Sequence, residues 1–142
     1  MKLFFSFLIL MFFVSSCNSR VDCNLDLEYK DGITLYKGKL FSGDCSSFYL
    51  NGNTMNEQSY LNGKDNGVWT FYYENGRIET KAIFLDNKRD GQWKYFYENG
   101  SIKQISYYKN GLKDSIWKKF DESGEVEWEK SFKEDKIMPS SN

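Results

Sequence analysis

Residues 67–76 read GVWTFYYENG and residues 91–100 read GQWKYFYENG, so the chain repeats itself at a step of 24. A looser copy, SIWKKFDESG, occupies 115–124, and GDCSSFYLNG at 43–52 fits the same frame. Gly52, Gly76, Gly100 and Gly124 are therefore equally spaced, and Trp69, Trp93 and Trp117 form a second equally spaced row. Repetition at such a period signals one supersecondary unit stacked on copies of itself, because a single unit cannot bury its apolar side alone.

Each copy has the composition of strands. VWTFYY is rich in β-branched and aromatic residues, lacks Pro, and runs into Glu74-Asn75-Gly76, where Asn-Gly suits the two positive φ angles of a type I′ hairpin turn. That turn pairs Tyr73 with Ile78, Phe71 with Thr80 and Trp69 with Ala82, all on one face. The opposite face then carries Val68, Thr70, Tyr72, Glu79, Lys81 and Ile83, and its recurring aromatic position holds Phe48, Tyr72, Phe96 and Phe120 in the four copies. Second turn signals follow the return strands at Asn62-Gly63-Lys64, Asp86-Asn87-Lys88 and Asn110-Gly111-Leu112. The predicted architecture is all-β, an open antiparallel meander sheet built from four 24-residue β-hairpin repeats. About eight strands run from Asp44 to Lys133, with short strands around Ile33 to Phe41. A single-layered sheet must also cover its Trp row, by curling, by a covering segment or by a second copy in a homodimer. Ser47 and Asn56 in the first copy, and Lys119 and Asp121 in the last, make the end copies more polar, as caps of a repeat array require.

Residues 1–16 stand apart from the repeats. Lys2 precedes an apolar run from Leu3 to Phe13, and Val14-Ser15-Ser16 leads into Cys17. This stretch resembles a bacterial lipoprotein signal, which implies cleavage before Cys17, lipidation of Cys17 and attachment to a membrane of the cell envelope. Asn18 in place of Asp points, by the same resemblance, to the outer membrane where the organism has one. The expected organisation is a signal peptide at 1–16, an anchor segment and linker at 17–30, a repeat domain at 31–136 and a disordered tail at 137–142. Removing 16 of 142 residues leaves 126, enough for one domain. Removing Lys2 leaves 18 of 19 basic residues against 20 acidic ones, a net charge of −2 without the basic footprint of a nucleic-acid binder. With Cys17 lipidated, Cys23 and Cys45 are left either as a disulfide, which an oxidising compartment favours, or as two separate thiols, with Cys45 a small apolar residue at the Trp position.

YLNGKDNGVWTFYYENG at 60–76 resembles the MORN repeat variant of bacterial proteins, including YwqK-type antitoxins, and DGITLYKGKLFSG at 31–43 looks like the lead-in segment of that family. The resemblance implies a β-hairpin repeat sheet and a protein-binding or antitoxin role. Ser115 for Gly, Leu112 for Lys and Ser123 for Asn mark decay of the last copy.

The sequence contains no His, which removes Ser-His-Asp and Cys-His nucleophiles, histidine general bases and the usual zinc ligands. Glu74, Glu98 and Glu122 recur at one position and form an acidic-pair candidate for glycoside hydrolysis, but they flank turns where nothing raises a carboxyl pKa. Asp86, Asp90 and Gly91 lack the spacing of a calcium loop, and no glycine precedes a helix as in a phosphate loop. No cofactor or metal is expected. The leading functional expectation is a lipid-anchored, non-catalytic module that binds another envelope protein through Phe48, Tyr72, Phe96 and Phe120. Trp69, Trp93 and Trp117 are expected to be structural. The alternative is a glycan or lipid-headgroup binder that stacks its ligand on the aromatic rows, and an acidic-pair hydrolase ranks third.

Overall fold

The computed structural model describes residues 20–139, so Cys17, the leader at 1–16 and the last three residues of the expected tail lie outside the described residues. The first strands are short: β1 (Val21–Asp22), β2 (Leu27–Lys30), β3 (Ile33–Tyr36) and β4 (Lys39–Leu40). The repeats follow as β5 (Gly43–Phe48), β6 (Thr54–Leu61), β7 (Lys64–Asp65), β8 (Gly67–Tyr72), β9 (Ile78–Leu85), β10 (Lys88–Arg89), β11 (Gly91–Phe96) and β12 (Ile102–Lys109). The last elements are β13 (Leu112–Phe120), β14 (Val126–Lys133) and β15 (Lys136–Ile137). From β5 to β15 the strands pair antiparallel in chain order in one open sheet, the all-β meander that the 24-residue repeat predicts.

The two kinds of turn exchange the roles that the sequence reading gave them. At Asn62-Gly63, Asp86-Asn87 and Asn110-Gly111 both residues have positive φ (51° and 78°, 49° and 65°, 51° and 90°), the signature of two-residue type I′ turns. At Glu74-Asn75-Gly76 only Gly76 does, with φ 81°. There the Tyr73 N–H donates to the Arg77 carbonyl at 2.8 Å and the Gly76 N–H to the Tyr73 carbonyl at 2.9 Å, which closes a three-residue loop. The expected type I′ turn at Asn75-Gly76 is thus corrected. Asn75 accepts a hydrogen bond from the Arg77 N–H on Oδ1 at 2.9 Å, which holds Asn75 out of the left-handed region and leaves Gly76 to turn the chain. The extra loop residue produces a bulge. Trp69 still faces Ala82 and Phe71 faces Thr80, but Ile78 pairs with Tyr72 rather than with Tyr73.

Both ends of the expected repeat domain move outward. Within the expected linker, residues 20–30 are not plain connection, because β1 pairs in parallel with β5 (Val21 with Cys45, Asp22 with Ser46) and β2 pairs with β3. The strands β2, β3 and β4 make a three-stranded sheet that caps the first repeat. Phe41 and Thr34, the latter on β3 itself, are buried at this junction, the Thr34 N–H donates to the Gly63 carbonyl at 2.7 Å, and the Gly63 N–H donates to the Phe41 carbonyl at 2.7 Å. The backbones approach so closely that a Cβ on Gly63 would lie 2.5 Å from Ile33 Cγ2. At the other end, the tail expected to be disordered from 137 begins as strand: Ile137 pairs with Phe132, and the Met138 N–H donates to the Ser131 carbonyl at 2.8 Å. That bond copies the one from Asn66 to Ser59 and the one from Asp90 to Ile83, so the chain starts a fifth lead-in.

Candidate functional site

The recurring side chains tie each repeat to its neighbour. The indole N–H groups of Trp69, Trp93 and Trp117 donate to the carbonyls of Ser59, Ile83 and Tyr107 at 2.9, 3.0 and 2.9 Å. The hydroxyls of Tyr49, Tyr73 and Tyr97 donate to the carbonyls of Tyr72, Phe96 and Phe120, one repeat onward, at 2.6, 2.6 and 2.9 Å. The fourth residue of this Tyr column is Asp121, which caps its own turn instead, accepting from the Ser123 and Glu125 N–H groups at 2.9 Å each. The Ser123 hydroxyl also donates to it at 2.7 Å, and that bond first, with the N–H bonds, holds its carboxyl below the usual range. The decay of the last copy has a structural reason, since no further described repeat offers a carbonyl there.

On one face the rings join into a continuous spine. From Tyr36 through Phe41, Tyr60, Trp69, Phe84, Trp93, Tyr108 and Trp117 to Phe132, successive ring centroids lie between 4.7 and 6.1 Å apart. Trp93 and Trp117 are only 5 and 6 % exposed although no second layer among the described residues covers the sheet. Neighbouring rings cover their flanks, and two side chains missed in the sequence reading cover their tops. The Arg89 guanidinium sits 4.7 Å from the Trp93 ring and 5.2 Å from that of Tyr108, while Lys113 Nζ sits 4.8 Å from Trp117 and 5.2 Å from Phe132. Arg89 and Lys113 stand 24 residues apart, a signal that was legible but looked like ordinary solvated charge beside a turn. Burial pushes the phenols of Tyr60 and Tyr95 up to about 12, with the Asp65 charge adding to the effect on Tyr60 and that of Tyr108 to the effect on Tyr95.

At the first repeat the Trp position holds Cys45, which is bonded to Cys23 with a Cα separation of 5.2 Å. The bridge fastens the segment after β1 to the sheet. Ser47 and Asn56, read as polar cap residues, are instead a buried cross-strand pair whose Oγ and Oδ1 find no partner among the described residues.

The opposite face, called outer below, carries a second row. Phe48 pairs with Thr54, Tyr72 with Ile78, Phe96 with Ile102 and Phe120 with Val126, so the four expected surface aromatics do share one line across the sheet. Phe48 is 41 % exposed and the other three are half-buried. The Tyr72 hydroxyl donates to Glu57 Oε2 at 2.8 Å, and its acidity is lowered by burial first and by that carboxylate second. Beside this row, Lys81 and Lys94 are direct cross-strand neighbours, a like-charge pair that weakens the sheet locally.

Glu74 and Glu98 line one shallow, solvent-open depression together with Tyr73 and Asn75, and Glu122 lies outside it. Glu74, Glu98 and Glu122 are exposed at the three-residue turns, where their backbone carbonyls accept hydrogen bonds from Asn53, Arg77 and Ser101 of the preceding repeat. Asp86 forms an ion pair with Lys64 at 3.5 Å, and Asp90 accepts from the Asn110 N–H at 3.3 Å. No group of three potential metal ligands occurs among the described residues.

Residues 65–86 and 89–110 each match the MORN repeat variant family. These segments are the second and third units of the observed array. No curated protein matches the chain.

Proposed function

We propose that the chain is a lipid-anchored, non-catalytic interaction module of the cell envelope, in the outer membrane where the organism has one, and that it binds a protein partner across the outer face of its sheet. The observation that carries this reading is the row from Phe48 to Phe120, which the core does not absorb. Its members recur every second strand, about 9.6 Å apart, so the row extends roughly 29 Å. That length suits one side of a standard protein interface, and partly buried aromatics are the usual anchors of such interfaces. The Val-Ser-Ser-Cys pattern at 14–17 supports attachment through Cys17. The resemblance to YwqK-type antitoxins supports a toxin as one class of partner, which would make the module antitoxin- or immunity-like. Burial of Trp93 and Trp117 within one chain speaks against sugar stacking on that part of the Trp row.

The test places a photo-crosslinking residue at Phe96 on the outer face and, separately, at Lys130 on the aromatic face. Expected is a discrete envelope protein crosslinked from 96 and absent from 130, together with release of the Cys17→Ala variant from membranes. Identical products from both positions, or none, would overturn the interface. Cleavage of envelope glycan by the purified protein, lost in the Glu74→Gln, Glu98→Gln, Glu122→Gln variant, would replace the reading with a hydrolase.

A further inference from the structure

The aromatic spine contains three equivalent two-ring platforms, and they are not treated alike. Trp93 with Tyr108 lies under Arg89, and these rings are 5 and 8 % exposed. Trp117 with Phe132 lies under Lys113, and they are 6 and 8 % exposed. Trp69 with Phe84, whose centroids are 4.7 Å apart, is only half-buried. The residue that stands 24 before Arg89 and 48 before Lys113 is Asp65. The charge is thus reversed at one platform of three.

We propose that Asp65, with the Trp69 and Phe84 rings, forms a binding site for an organic cation, an alkylammonium or guanidinium group. The electron-rich faces of an indole and a phenyl ring attract such a group, and the carboxylate of Asp65, opposite Tyr60 whose ring lies 5.4 Å from that of Trp69, adds charge attraction at the repeat position that Arg89 and Lys113 fill elsewhere. The same fold demonstrates the geometry twice, because Arg89 and Lys113 bring the cation from within the chain to the equivalent platforms. Asp65 is held in place by its register opposite Tyr60 and by donation of its N–H to Asn87 Oδ1 at 2.6 Å. Its carboxylate forms no ion pair among the described residues, and burial raises its pKa, a penalty that a bound cation relieves. One carboxylate is too few oxygens for calcium or magnesium, which take six or more ligands, whereas a weakly hydrated organic cation is satisfied by one carboxylate and two rings. The site lies on the face opposite the proposed protein interface and does not depend on it.

The test follows the four indole N–H resonances of the isotope-labelled mature protein while butylammonium is added, with butanol as the uncharged isostere. Expected is a saturable shift of the Trp69 signal in the millimolar range, small effects at Trp93 and Trp117, and no saturable response to butanol. Asp65→Asn should weaken binding at least ten-fold, and Asp65→Arg should abolish it by supplying the cation from the chain, as at Arg89. A lysine-bearing peptide that binds at least ten-fold more tightly than butylammonium would identify a partner's side chain as the source of the cation; equal affinities would identify a free amine. Absence of a saturable shift, an equal response to butanol, or undiminished binding by Asp65→Asn would each overturn the site.

Discussion

The two faces of this sheet are built by the same strands and each carries a row of aromatic rings, yet only one of them is a core. On the spine face the rings of adjacent strands touch, Trp indoles bond backward to the preceding return strand, and two cations lie across the rings. On the outer face the aromatic positions alternate with Thr54, Ile78, Ile102 and Val126 and keep part of their surface in solvent. Whether a row of rings becomes interior or interface therefore depends on what stands between its members. Contiguous rings cover one another; rings separated by smaller residues leave area that a partner can bury.

The contrast fails first at Trp93, if it fails. Trp93→Ala removes contacts with Phe84, Tyr95 and Tyr108, the Arg89 stack and the bond to the Ile83 carbonyl, and should cost about 3 to 5 kcal/mol in denaturant unfolding. Phe96→Ala, half-buried on the outer face, should cost about 1 kcal/mol and lower partner binding instead. Equal losses of stability would mean that both faces are core.

The second expectation tests the place where a disulfide stands in the Trp row. Cys23→Ser with Cys45→Ser should destabilise by about 3 kcal/mol, since the bridge closes a 22-residue separation. An unchanged unfolding midpoint after reduction of the parent protein would show that the bridge contributes nothing to that end of the sheet.

A smaller effect appears at alkaline pH. The folded pKa values of Tyr60 and Tyr95 lie near 12, above the ordinary value of 10.0 that the unfolded chain retains. The protonated phenols favour the fold, so the stability they contribute is full below pH 10 and is lost as pH rises from 10 towards 12. Tyr60→Phe with Tyr95→Phe should flatten the stability profile across that interval; a profile of unaltered slope would place these phenols in solvent.

The smallest change is expected at Glu98, which belongs to neither face. Glu98→Ala should shift stability by less than about 0.5 kcal/mol, because the repeat uses this residue's backbone carbonyl rather than its side chain. A larger shift, measured by thermal unfolding, would assign its carboxylate a role that the turn geometry does not show.

Much of the pairing was legible from spacing, because a strand's side chains alternate and a repeat multiplies the signal. Trp69 opposite Ala82 and Phe71 opposite Thr80 follow from the centre of the hairpin alone. The partner of Ile78 was not legible, because a single Asn side-chain bond to Arg77 decides between a two-residue and a three-residue loop. Arg89 and Lys113 were missed for a related reason: a charge beside a turn reads as solvated until the rings beneath it are placed. The end strands were missed as well, since two-residue pairings such as Val21 with Cys45 carry no periodicity that a sequence can display.

The 24-residue period, the strand alternation and the turn residues determined by themselves that the chain forms an open meander of hairpins, because each of these signals is local and is repeated along the chain. The tertiary structure alone decided how completely the Trp row is covered, that Cys23 meets Cys45, and that Arg89 and Lys113 lie over the rings of the spine. Those outcomes depend on the distance between strands that are remote in sequence and on the charge that each repeat places over its neighbour's rings, and no segment of the chain carries that information separately.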